Sequence, residues 1–262
     1  MSKPKQTKEK EEFEEPLIQI LPTEEKITLA KSPVLVIGFP GPGLVGMIAT
    51  GRMIEGMKMK EIVAIRSPLI PPVTPFYGGV LRLPIRICAS EDGKTIVVIS
   101  EILLALETIF FIANKVLDWA EKQGVQKVIC LEGVGVKDRV GVPEVFGAAE
   151  PQLLEELEKF EVPRVRKGIV AGIAGAVLNE CLIRKLDGYC LLVTANEEAP
   201  DPESAASIVT TVNRFLNLDV SIEPLVKERA AIKNQFNELA QNARKGEQNA
   251  QEQGFRPIPF YV

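Results

Sequence analysis

The chain has 262 residues, of which 46% are hydrophobic and 25% charged, a composition typical of a folded globular protein. It carries 31 Lys and Arg against 35 Asp and Glu, and this net charge of −4 argues against a nucleic-acid-binding protein, whose phosphate contacts need a basic face. The absence of histidine excludes Ser-His-Asp and Cys-His mechanisms as well as a His-ligated zinc site.

Several features favour a cytoplasmic protein without a membrane partner. No apolar run reaches the ~18–20 residues that a membrane-spanning helix needs. Residues 1–16 alternate Lys and Glu and lack the apolar segment of a secretory signal, so we interpret them as a charged, disordered arm. The four cysteines form no C-x-x-C pair, and small buried side chains in a reducing compartment are favoured over a disulfide or a metal site.

The predicted elements begin at Leu17, where LIQIL and then KITLA indicate short edge strands. Apolar runs of strand length recur after them, as expected for parallel strands that are buried on both faces. These runs are Pro33–Phe39, Glu61–Ile65, Ile85–Ala89, Thr95–Ile99, Lys127–Leu131 and Tyr189–Thr194.

Helical patterns alternate with these runs. Gly124 provides a stop for the second helix, and Asp201-Pro202 provides an N-cap and first turn for the fifth. The alternation predicts an α/β fold, with a three-layer arrangement in which helices cover both faces of a mostly parallel sheet. The predicted helices are Leu44–Met57, Leu104–Gln123, Glu150–Phe160, Gly172–Leu186, Asp201–Leu216 and Glu223–Lys245.

The domain organisation follows from changes in composition. Residues 17–220 form a single predicted α/β core domain, and residues 221–246 a more polar helix. Its apolar positions, Leu225, Ile232, Phe236, Leu239 and Ala243, form a narrow seam that could pack on the body or on another copy. Residues 247–262 are predicted to be a flexible linker followed by an apolar tail.

A glycine-rich turn follows the first buried strand. Gly41, Gly43 and Gly46 match G-x-G-x-x-G, the pattern that brings a dinucleotide pyrophosphate close to a helix N-terminus. The ribose-binding acid expected after the next strand is missing, however, because Arg66 follows Ile65. A compact turn with close helix–strand packing, assisted by Gly46 and Gly51, is therefore favoured over nucleotide binding, and contact with an anion or partner remains open.

The loop after the fifth apolar run carries both charge signs. Glu132, Lys137 and Asp138 follow a strand end, where ligands bind in α/β sheets, so they could line a pocket together with the glycine turn. A solvated loop with local salt bridges is the favoured interpretation. We therefore predict no catalytic residue, no metal and no cofactor.

The C-terminus is the most informative motif. Phe260, Tyr261 and Val262 combine a flat apolar ring that has a polar tip with a free carboxylate, which suits insertion into a pocket that holds a basic group. Pro257 and Pro259 stiffen the approach to this tail. The alternative is that the tail packs on its own domain and that the protein is an oligomeric scaffold for a different partner.

Several segments, in order, resemble the archaeal branch of the proteasome-assembly-chaperone family. They are the turn at 38–46, the Ser67-Pro68 segment, Leu131–Gly135, Val145–Ala149, Gly172–Leu178 and Ala199–Ala206. The resemblance covers roughly residues 33–236 and implies a phosphorylase-like fold without an established catalytic centre.

The resemblance also implies a partner. Archaeal members of that family resemble proteasome activators that work without ATP, and they present hydrophobic-Tyr-X tails from a homo-oligomer to pockets between subunits of the 20S proteasome α-ring. Phe260, Tyr261 and Val262 match that tail residue by residue. The expected protein is thus a non-enzymatic proteasome activator or assembly factor, and a nucleotide- or nucleoside-binding enzyme is the remaining alternative.

Overall fold

An eight-stranded sheet forms the centre of the protein in the computed structural model, which describes residues 18–137, 139, 141–197 and 199–227. A separate two-stranded hairpin, β4–β5, lies outside that sheet. The strands are β1 (Gln19–Pro22), β2 (Val34–Gly38), β3 (Lys60–Arg66), β4 (Phe76–Tyr77), β5 (Val80–Leu81), β6 (Ile85–Ala89), β7 (Thr95–Ser100), β8 (Lys127–Val136), β9 (Val145–Ala149) and β10 (Asp187–Asn196).

The spatial order of the sheet is β1-β3-β6-β7-β2-β8-β10-β9. Strands β7, β2, β8 and β10 are parallel to one another. Strand β6 runs antiparallel to both of its neighbours, and the edge strand β9 runs antiparallel to β10. Strand β3 is antiparallel to β6 and therefore points the same way as the central four. The sheet is mixed, but most of its strands share one direction, which confirms the predicted mostly parallel sheet.

Helices cover both faces of the sheet and complete the predicted three layers. Helices α2 and α4 contribute side chains to the apolar core on one face, and α1 and α5 contribute to the core on the other. The Gly124 stop is confirmed by its φ of +81°, and the Asp201 cap by a hydrogen bond from the Ser204 N–H. The helices are α1 (Val45–Gly56), α2 (Leu106–Lys122), α3 (Leu154–Lys159), α4 (Gly172–Arg184), α5 (Pro202–Leu216) and α6 (Glu223–Lys227).

The KITLA segment is not the predicted edge strand. Ile27 and Leu29 do pack against the core, but the backbone pairs with the β6–β7 turn through the Ala30 N–H and the Gly93 oxygen, 3.0 Å apart. A Cβ on Gly93 would lie 2.2 Å from the Thr28 oxygen, so the two backbones approach too closely for a side chain. The segment therefore packs on a turn and adds no strand to the sheet.

Two elements were missing from the sequence prediction. Strand β9 forms an antiparallel edge on β10, and the β4–β5 hairpin pairs Phe76 with Leu81. The predicted helix over Glu150–Phe160 is a short 3-10 turn at Pro151–Leu153 followed by the six residues of α3.

The predicted terminal segments fall mainly outside the described residues. Helix α6 lies within the predicted 221–246 helix, and its Leu225, the first seam position, is buried. Three other predicted features lie outside the described part of the chain: the remaining seam positions, the 247–262 linker and tail, and the 1–16 arm. Within that part, no helix is both long and apolar enough to cross a membrane.

Candidate functional site

The glycine turn lies at the carboxyl edge of the sheet, between β2 and α1. A Cβ on Gly38 would lie 2.1 Å from the backbone oxygen of Gly46, and a Cβ on Gly46 would lie 2.5 Å from that of Leu131. No side chain fits at these separations, so the start of α1 packs directly on β2 and β8. Gly51, predicted to assist, does not, because its Cβ would meet only Ile99, at 3.8 Å.

The tip of the turn adopts a left-handed conformation at two consecutive residues. Gly43 has φ of 65° and Leu44 has φ of 51°, and the Leu44 N–H donates to the Gly41 oxygen at 2.8 Å. A non-glycine residue rarely adopts this conformation, so the neighbours must stabilise it. Asp201 supplies one such contact, since its backbone N–H donates to the Gly43 oxygen at 2.8 Å.

The turn also packs against the end of β8. A Cβ on Gly133 would lie 2.1 Å from the Pro42 oxygen, and a Cβ on Gly43 would lie 2.8 Å from the Ala195 side chain. These glycines therefore permit close contact between protein segments. The geometry agrees with the compact-turn interpretation of Gly41, Gly43 and Gly46 that the sequence favoured.

The Asp201 carboxylate connects the loop after β8, the end of β10 and the start of α5 at this edge. It accepts hydrogen bonds from the N–H groups of Asn196 and Ser204 and from the Arg139 guanidinium, whose Nε lies 2.7 Å from Oδ2. Burial alone would raise its pKa, but these hydrogen bonds outweigh burial and lower the pKa below the usual value for Asp. Arg139 also binds Glu203 at 2.6 Å, so its positive charge is already engaged.

Glu132 is the second carboxyl group beside the turn. Its Oε2 lies 3.0 Å from the position that a Cβ on Gly41 would take, and burial raises the pKa of this carboxyl to about 8. The turn is thus flanked by Glu132 and Asp201, and the nearby Arg139 is already neutralised. A phosphate anion would therefore find no free guanidinium at Arg139 to bind it.

Four of the predicted loop residues come together: Gly41, Gly43, Gly46 and Glu132. Lys137 is exposed just beyond the end of β8, and Asp138, the other residue expected to line the pocket, lies outside the described residues. The tail residues Phe260, Tyr261 and Val262 also lie outside the described residues. Sequence reasoning identified Asp201 as a helix cap but missed its partner Arg139, which is distant in sequence.

The cysteines are buried and free of disulfides, as the favoured interpretation predicted. Burial raises the pKa of Cys88 to about 11 and that of Cys181 to about 12, so both thiols are poor nucleophiles near neutral pH. No group of three or more acidic or cysteine side chains is placed to hold a metal within the described part of the chain.

A second polar cluster lies in a cavity of about 390 Å³ between α1, β6 and α6. Arg86 forms a two-pronged ion pair with Glu101, with both N–O distances at 2.9 Å, and its Nε lies 3.5 Å from Glu61. Burial and the Glu101 carboxylate raise the pKa of Tyr77 to about 12. The sequence carried no signal for this cluster, because its members come from four separate segments.

Comparison with solved structures supports this fold. PbaA of Pyrococcus furiosus, described as an archaeal homolog of proteasome-assembly chaperone, is 30% identical with a TM-score of 0.77, and the match covers 86% of this chain and 97% of that one. PbaB of the same organism, described as an archaeal proteasome activator, has a TM-score of 0.72 over 87% of this chain and 98% of that one. At 22% identity, PbaB supports the fold alone.

Comparison of sequences gives the family. An uncharacterized protein of Methanocaldococcus jannaschii is 30% identical over 213 residues, which are 80% of this chain and 87% of the relative. Residues 35–240 match the sequence model of the PAC2 family. Because this match spans most of the sequence, the chain belongs to the PAC2 family.

Proposed function

We propose that this chain is a non-enzymatic proteasome-binding protein, an activator or assembly chaperone, that acts in the cytoplasm. The observation that carries the proposal is the 30% identity to PbaA, a homolog of proteasome-assembly chaperone, together with a C-terminal hydrophobic-Tyr-X sequence. The proposed contact is between Phe260, Tyr261 and Val262 and an inter-subunit pocket of the 20S α-ring.

The chemistry of the tail supports this contact. The Tyr261 ring would fill an apolar pocket while its hydroxyl forms a hydrogen bond, and Phe260 would add apolar area. The Val262 carboxylate would pair with a lysine of the pocket. Docking would shift the α-ring toward an open gate only to the extent that the tail binds that state more tightly.

The linker predicted over residues 247–262 supports the reach of the tail. A chain spans at most ~3.3–3.6 Å per residue, so this segment could reach ~55 Å if fully extended. Several tails on one homo-oligomer would bind with an avidity gain on the order of 10²–10⁴-fold, provided that the segments span the pockets.

The chemistry of the carboxyl edge agrees with a non-enzymatic role. The glycine turn packs against protein atoms, and Arg139 and Asp201 are engaged with each other. Burial keeps the Glu132 carboxyl beside the turn mostly protonated near neutral pH, so it supplies no positive charge for the phosphates of a nucleotide. These contacts favour the binding protein over the nucleotide-dependent enzyme.

The test is peptide hydrolysis by purified archaeal core particle, with and without the full-length protein. Wild type is expected to stimulate hydrolysis, and Tyr261→Ala is expected to abolish the stimulation. Phe255→Ala is the matched control, because it removes an aromatic ring from the same segment but leaves the last three residues intact.

Two results would contradict the proposal. Stimulation by Tyr261→Ala equal to that of wild type would exclude the tail as the docking element. No stimulation and no binding by wild type, together with protection of residues 246–262 from protease, would favour the scaffold whose tail packs on its own body.

A further inference from the structure

We infer that the cavity between α1, β6 and α6 is a binding site for a free α-amino acid with an apolar side chain. Glu61 would hold the ammonium group of this ligand, Arg82 would hold its carboxylate, and the apolar wall of the cavity would surround its side chain. The inference goes beyond the proposed function and does not depend on it.

The floor of the cavity is the part of the sheet that lies beyond α1. Helix α1 packs on β2, β7 and β8, and the same face continues past β7 into β6 and β3. Glu61 of β3 is paired in register with Cys88 of β6, and Arg86 lies two positions before Cys88, so the three share one face. Cys88 belongs to the apolar core beneath α1, whereas Arg86 and Glu61 give the cavity a charged floor.

The Arg86–Glu101 ion pair in this floor is buried and satisfied within the chain. Both side chains are 8% exposed, and the guanidinium also donates to the Leu83 oxygen at 2.6 Å. Replacing a buried ion pair by apolar residues of similar volume is often neutral or stabilising. Stability alone therefore does not account for this pair, whereas a polar occupant of the cavity would.

Glu61 and Arg82 still have hydrogen-bonding capacity. The Glu61 carboxylate lies 3.5 Å from Arg86 Nε and 3.9 Å from an Arg82 Nη, and both distances exceed the ~2.7–3.2 Å of an N–H···O hydrogen bond. The Glu61 side chain is 22% exposed and that of Arg82 47%, so a ligand can reach both. Burial raises the pKa of Glu61 despite the two guanidinium groups, and a bound ammonium group would offset this cost.

The charges of the lining favour a zwitterion. Among the described residues, three arginines and three glutamates line the cavity, so a ligand with a net charge of either sign gains little from the lining as a whole. The free acceptor of Glu61 and the free donor of Arg82 are adjacent. They match an α-amino acid, whose ammonium and carboxylate groups are one carbon apart and would each form a charge-assisted hydrogen bond.

The rest of the lining is apolar and adaptable. Met47 and Ile48 of α1, Met59 before β3 and Leu225 of α6 contribute to it. Methionine side chains are flexible and fit ligands of different shapes. The volume of about 390 Å³ lies near the lower end of the ~300–1,000 Å³ that small-molecule sites occupy, which suits an amino acid better than a dinucleotide.

The first test is isothermal titration calorimetry of the full-length wild-type protein with L-leucine, L-methionine and L-phenylalanine. At least one of the three is expected to bind saturably, with one molecule per chain. The N-acetyl and amide derivatives of that amino acid should bind at least ~10-fold more weakly, because each loses one hydrogen bond between charged groups. Glycine should also bind at least ~10-fold more weakly, because it has no side chain to bury.

The second test uses variants of the two polar groups. Arg82→Gln and Glu61→Gln should each weaken binding at least ~10-fold. Arg214→Gln is the matched control, because the Arg214 side chain is 46% exposed and pairs with Glu161 at 2.8 Å, outside this cavity. It should leave the affinity unchanged. The ligand series needs only wild type, so it remains decisive if Glu61→Gln fails to fold.

Three results would overturn the inference. These are no saturable binding of any of the three amino acids, equal binding of the N-acetyl or amide derivative, and unchanged binding by Arg82→Gln. Peptide hydrolysis by the core particle does not enter these measurements, so this inference and the proposed function can fail separately.

Discussion

Two glycines on the same helix should respond to alanine in opposite directions. Both Gly46 and Gly51 lie in α1, and alanine in a helix interior is favoured over glycine by about 0.8–1.0 kcal/mol. For Gly51 the added Cβ would have its nearest neighbour at 3.8 Å, an ordinary contact, so Gly51→Ala should be stabilising by about that amount.

Gly46→Ala should be destabilising. The Cβ of Ala at position 46 would lie 2.5 Å from the Leu131 oxygen and 2.9 Å from the Phe39 oxygen. Both are backbone atoms, which cannot rotate away as a side chain can. Relief requires α1 to move away from β2 and β8, and overpacking of this kind costs about 1–3 kcal/mol. Because both variants share the gain in helix propensity, that gain cancels, and the difference in stability between them isolates the cost of the contact, about 1–3 kcal/mol.

Thermal unfolding of the two variants measures that difference. For a chain of this size 1 kcal/mol shifts the midpoint by about 2–4 °C, so the two midpoints should differ by roughly 2–12 °C. Both must be measured at one protein concentration, because association raises the apparent stability. Equal midpoints for the two variants would refute the claim that close backbone packing is the function of Gly46.

Two further predictions concern the carboxylates beside the turn. Arg139→Met should lower the free energy of unfolding by about 3–5 kcal/mol, because it leaves the Asp201 carboxylate, which is 1% exposed, without its cation. An unchanged urea midpoint near neutral pH would contradict this. Because the folded protein lowers the pKa of Asp201, the stability from this pair is present above the unfolded pKa of about 3.9 and is lost as pH falls through the folded value. The pKa shift of Glu132 has the opposite sign. Its folded pKa of about 8 lies above the unfolded value of about 4.3, so wild type should lose stability as pH rises between these two values. Glu132→Gln should therefore flatten the profile of melting temperature against pH. A profile that stays as steep would show that Glu132 ionises normally.

The central layer of the fold was predictable from sequence for a simple reason. Strands such as β2 and β7 are buried on both faces and therefore appear as unbroken apolar runs. Helix α5 was equally clear, because Asp201-Pro202 marks its start and its apolar positions follow the helical period.

The edge elements were not predictable in the same way. Strand β9 contains glycine and alanine at three of five positions and forms only because β10 offers it a partner. KITLA has the residue types of a strand, but its Ala30 N–H donates to the Gly93 oxygen in the β6–β7 turn and not to a neighbouring strand. In both cases a tertiary contact decides the outcome, and local propensity does not.

The candidate site was predictable in its parts and not in its assembly. The sequence placed the glycine turn and Glu132 at strand ends, which α/β topology brings together. It could not pair Arg139 with Asp201, because an ion pair between residues 62 positions apart leaves no local pattern. The Arg86–Glu101 pair was missed for the same reason.

The place of β2 in the sheet has a consequence for synthesis of the protein. Its two neighbours are β7, which is made shortly after it, and β8, which begins only at Lys127. Until the ribosome has released β8, Val34–Gly38 remains an apolar strand with one unpaired edge, the kind of edge that joins other chains. A nascent chain that stops after α2 should therefore aggregate, and one that continues to the end of β8 closes this edge.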